Sequence, residues 1–80
     1  MLDGTTKYIQ NVLNNNLNRV NKCITDVKIS IRTLQQGIER LQGSTGTADL
    51  MIELGHNWAV FARLLEGRAY FEDLIDNLEE

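Results

Sequence analysis

From Leu13 to Leu41 apolar residues fall at positions 13, 17, 20, 24, 27, 31, 34, 38 and 41. After a first step of four, the steps alternate between three and four. This is a heptad seam, with Leu17, Ile24, Ile31 and Ile38 at one position and Leu13, Val20, Val27, Leu34 and Leu41 at the other. A strand would show a period of two, so the spacing predicts one long helix with a narrow apolar stripe. The flanks of the seam are small or amide-bearing: Asn14, Asn16, Asn21, Cys23, Lys28, Ser30, Gln35, Gly37 and Gln42. A two-stranded coiled coil usually carries Glu and Lys there, so these flanks favour close neighbours on both sides, as in a bundle.

Gly43-Ser44-Thr45-Gly46-Thr47 breaks the pattern. Gly43 can adopt the left-handed conformation that ends a helix, and Thr47 is a suitable N-cap with Asp49 behind it. A loop this short returns the chain antiparallel. The expected fold class is all-α: a long antiparallel, coiled-coil-like helical hairpin in one domain, residues 1–80. Helix 1 covers about 6–42, capped by Thr5 or Thr6, the loop 43–47, and helix 2 about 48–78. With the turn centred near residue 45, residue i should lie beside residue 90 − i, leaving residues up to about Gln10 overhanging.

Helix 2 carries a broad apolar arc: Leu50, Met51, Leu54, Trp58, Phe61 and Leu65 near its start, then Leu64, Phe71, Leu74, Ile75 and Leu78. One hairpin cannot cover it, and Val60, Phe71 and Leu78 should be left wet. Helical stability comes mostly from packing, and 80 residues offer little core. The surplus predicts assembly, first as a homodimeric four-helix bundle and next as a higher oligomer or a complex with another protein. The expected protein interface comprises Tyr8, Ile9, Leu17, Ile24, Ile31, Trp58, Phe61, Arg68, Phe71 and Leu78. Asn57 and Arg68 project into the apolar arc and are expected to set register, with Asp26 as the carboxylate for Arg68.

Charge sharpens the exclusions. Residues 1–42 hold Lys7, Arg19, Lys22, Lys28, Arg32 and Arg40 against Asp3, Asp26 and Glu39, a balance of +3. Residues 43–80 hold Arg63 and Arg68 against Asp49, Glu53, Glu66, Glu72, Asp73, Asp76, Glu79 and Glu80, a balance of −6. Two such halves attract each other, and no single-sign field suits DNA. The longest apolar run, Trp58–Ala62, is far short of the roughly 18 residues a membrane span needs. No signal segment is visible, so the expected location is cytoplasmic, or exported without a cleaved signal.

Catalytic chemistry lacks a constellation. The lone Cys23 and lone His56 are separated by roughly 16 Å of helix in the hairpin. Cys23 beside the seam reads as a small buried or half-buried hydrophobe, and His56 as a boundary residue. Four metal ligands do not cluster, so no metal and no cofactor are expected. The pairs Glu66/Asp73 and Glu72/Asp76 read as a solvated acidic end. The loop hydroxyls precede a helix N-terminus, but no phosphate-binding motif accompanies them.

The sequence therefore favours a non-catalytic protein–protein interaction module, a small helical adaptor, chaperone-like or inhibitor protein acting through helix packing. The alternative is an oligomeric binder of an anionic, nucleotide-like ligand held between subunits by Tyr8, Arg19, Lys22 and Arg68. It draws on the six Asn between Asn11 and Asn21, whose amides could read a base.

Overall fold

The computed structural model describes residues 4–79. Residues 1–3 and 80 of the expected single domain lie outside the described residues. Two helices, α1 (Gly4–Arg40) and α2 (Thr47–Glu79), pack against each other as a hairpin. The result is a rod of 61 × 14 × 13 Å. Its radius of gyration is 18.1 Å, where a compact globule of this length would have about 12 Å.

The α1 seam holds as the spacing predicts. Ile24 and Ile31 are buried, at 3% and 6% exposure, and Leu13, Leu17, Val20, Val27, Leu34 and Ile38 are half-buried. Thr6 and Gln10 extend the same three-four rhythm to the N-terminal end and are also half-buried. Leu41, expected to close the seam, is 44% exposed because the helix ends one residue before it.

On α2 one continuous line of covered residues runs the length of the helix, with Leu65, Gly67 and Leu74 half-buried beside it. Leu50, Leu54, Asn57, Phe61, Leu64, Arg68, Phe71, Ile75 and Leu78 are buried or half-buried, again at alternating steps of four and three. Phe71 and Leu78, expected to be wet, belong to this line, whereas Val60 beside it is exposed. The two seams are mirror images: each α1 position i from Gln10 to Ile38 has its α2 counterpart at 88 − i. Ile31 thus matches Asn57, Ile24 matches Leu64, and Val20 matches Arg68. Such pairs bring the first seam position of one helix onto the second of the other, the layering of an antiparallel coiled coil. Close packing at Gly37 anchors the register, since a Cβ there would lie 3.4 Å from Leu50 Cδ1.

The register differs by two from the sequence expectation because the turn is centred earlier. Residues 41–46 form it. Gly43, with φ of 86°, takes the left-handed position. Leu41 N–H donates to Gly37 O at 3.0 Å and Ser44 N–H to Leu41 O at 2.9 Å, closing α1. Leu50 N–H donates to Gly46 O at 3.4 Å, the first i to i−4 bond of α2, so Gly46 stands at the cap and Thr47 is already helical. Thr47 donates its hydroxyl to Leu41 O at 2.6 Å instead of capping its own helix. At the far end α1 begins at Gly4, placing Thr5 and Thr6 inside the helix. The overhang shrinks to about the first turn of α1.

Candidate interaction surface

Neither helix is long and apolar enough to cross a membrane. No three His, Cys, Asp or Glu among the described residues come together as a metal site. Two shallow depressions, both near the turn, have volumes of about 260 and 440 Å³. Ile29, Ser30, Thr33, Leu34, Glu53 and Asn57 line the first, and Gln35, Ile38, Glu39, Met51 and Leu54 the second. They are the two flanks of one end of the hairpin, open grooves where side chains of facing helices meet.

The residues considered for chemistry stay apart. Cys23 is exposed, not tucked beside the seam, because its flanking position points away from the helix contact. His56 is exposed on the outer side of α2. With i beside 88 − i, roughly 14 Å of rod separates them. Arg68 is half-buried in the α2 seam, and its Nε lies 3.6 Å from Glu72 Oε1, one turn on in the same helix. Asp26 is exposed and is not its partner, because it faces away from the helix contact. The pair is largely solvated, so it stabilises little. Asn57 donates its side-chain amide to Glu53 O at 2.9 Å, within α2. Asn57 and Arg68, the polar residues of the α2 seam, thus both find a partner within their own helix.

Tyr8, Arg19 and Lys22 are exposed on the outer side of α1, away from the seam that holds Arg68. The structure therefore does not gather the four residues proposed for an anionic ligand on one face of a single chain. Of the expected interface residues, Ile24 and Ile31 are covered by α2, and Leu17, Phe61, Arg68, Phe71 and Leu78 are half-buried within the same contact. Tyr8, Ile9 and Trp58 remain exposed. Trp58 stands edge-on to Phe61, ring centroids 5.7 Å apart, so the seam phenyl steadies an indole that faces outward.

Sequence reasoning expected Val60 to be wet, and it is exposed, but missed other parts of the exposed apolar surface. Met51, Ile52 and Tyr70 on α2 and Val12 and Ile29 on α1 are all exposed. Ile52, at 73%, is the most exposed of these. The signal that could have found them is the surplus itself: once the α1 seam selects one line of α2, every other large apolar residue of α2 must lie outside it.

Comparison with protein-family models, curated proteins and solved structures finds no match.

Proposed function

We propose that the protein is a non-catalytic protein–protein interaction module that works by helix packing and assembles with itself, first as a dimeric four-helix bundle. The supporting observation is its excess exposed surface, which includes large apolar side chains. The chain exposes 6138 Å², where a compact monomer of its mass exposes about 4,900 Å². The difference, roughly 1,200 Å², exceeds the approximately 800 Å² each partner gives to a standard interface. Large apolar residues stand in solvent on α2: Met51, Ile52, Trp58, Val60 and Tyr70. A large exposed apolar surface on a small chain marks an interaction site.

Light scattering coupled to size separation tests this reading. A mass at least twice 9.1 kDa supports self-assembly, and a monomer at all accessible concentrations overturns it. Thermal unfolding with mono- and cyclic nucleotides addresses the competing function. A saturable rise in midpoint would favour the anionic-ligand binder built between subunits on Tyr8, Arg19, Lys22 and Arg68.

A further inference from the structure

A second three-four series runs along α2 beside the first: Met51, Gly55, Trp58, Ala62, Leu65 and Ala69. Leu65 is half-buried, and the other five are exposed. Large and small residues alternate strictly: Met, Trp and Leu at one position, Gly and Ala at the other. Its centre lies roughly 100° around α2 from the seam that meets α1. Gly55 is the telling member. Glycine in a helix interior costs about 1 kcal/mol relative to alanine. Nothing in the hairpin calls for it, since an added Cβ would meet no atom within 4 Å.

We propose that this stripe packs on the same stripe of a second copy, α2 against α2, antiparallel about a two-fold axis near Ala59–Phe61. The proposal rests on the self-assembly reading above and adds the surface and the orientation. Antiparallel seams pair the two heptad positions with each other. Trp58 then meets the partner's Ala62, Met51 the partner's Ala69, and Leu65 the partner's Gly55. Every layer holds one large and one small side chain, which fills space evenly. Parallel pairing would set Trp58 on Trp58 and Gly55 on Gly55, alternating crowded layers with voids.

Antiparallel packing keeps the acidic C-terminal ends of the two α2 helices apart, and brings Glu72 and Asp73 to the start of the partner's α2, where the positive end of the dipole offsets their approach to Asp49. Parallel packing would instead place the two acidic ends side by side. The α1 helix of another copy is a poorer occupant. Its exposed apolar residues Tyr8, Ile9, Val12 and Ile29 are split between the N-terminal end and the middle of the helix by Asn15, Arg19 and Lys22 and form no continuous stripe. A corner of roughly 100° at each α2 also puts both α1 helices on the same side of the α2 pair. That is a four-helix bundle, in which the α1 flank carrying Asn14, Asn21, Lys28, Arg32 and Gln35 faces its counterpart, with the two Lys28 side chains near the axis turned out to solvent.

Cysteine cross-linking with a short bis-maleimide, in a Cys23→Ser background, tests the geometry. Ala59→Cys lies near the axis and should give a covalent dimer in high yield. Ile52→Cys alone should not, because its symmetry mate lies roughly 24 Å away along the helix. A mixture of Ile52→Cys and Glu66→Cys chains should cross-link. Ala62→Glu should lower the mass measured by light scattering to that of a monomer with unchanged far-ultraviolet helicity, since Ala62 is exposed in the hairpin. Cross-linking of Ile52→Cys to itself would overturn the antiparallel arrangement. An oligomer that resists Ala62→Glu and does not cross-link through Ala59→Cys would overturn this surface while leaving self-assembly intact. A wild-type monomer at millimolar concentration would overturn both.

Discussion

The hydroxyl of Thr47, the first residue of α2, donates to the carbonyl of Leu41, just past the end of α1, at 2.6 Å. One side chain thereby joins the two helices across the turn and gives Leu41 O a second donor beside Ser44 N–H. Thr47→Val keeps the shape and removes the donor. Stability should fall by about 1 kcal/mol in urea unfolding at fixed protein concentration, and Thr47→Ser should restore most of it.

Gly43 holds the turn's left-handed residue. A Cβ there would meet no neighbour, so the cost of substitution is conformational and not steric. Gly43→Ala should destabilise by about 1 kcal/mol, and Gly43→Asn by less, because asparagine tolerates this region. Equal losses for the two variants would show that the turn adopts another conformation in solution.

Ile24 and Ile29 contrast the two sides of α1. Ile24 is 3% exposed at the centre of the rod, whereas Ile29 stands in solvent on the outer side. Ile24→Ala should cost about 2–5 kcal/mol, enough to abolish most helicity in so small a core. Ile29→Ala should change the unfolding midpoint little. Similar effects at both sites would contradict the seam.

The polar residues of the α2 seam weaken it. Asn57 matches Ile31 but spends its amide on Glu53 O in its own helix. Arg68 matches Val20 and turns to Glu72. Asn57→Leu and Arg68→Leu should each raise the thermal midpoint, because an apolar layer replaces one that gains no bond across the hairpin. Asn57→Leu should also broaden the distribution of assembled species seen by sedimentation, since a polar seam residue penalises alternative registers. A sharper distribution with a lower midpoint would show that the Asn57 layer stabilises the fold.

The residues of α1 and of the turn carried most of the fold openly. A stripe confined to one line of a helix leaves a single face to bury, so Leu17, Ile24 and Ile31 could be placed from spacing alone. Cys23 could not. It lies one position from Ile24, and whether a flanking side chain is covered depends on how closely the facing helix approaches at that level. Arg68 raised a similar difficulty. A long side chain can answer to any carboxylate within reach, and a same-helix partner one turn away is always available.

By itself, then, the sequence determined two helices, their antiparallel return and the α1 face that is buried, because heptad spacing and a glycine turn are local properties of the chain. Tertiary structure decided which of two adjacent stripes on α2 meets α1. Both stripes have helical spacing, and α2 is apolar around much of its circumference. Only docking against the narrow α1 seam, from a turn centred near residues 43–44, sets the rotation and register of α2. It takes the line through Leu64 and Phe71 and leaves Trp58, Ala62 and Gly55 facing outward.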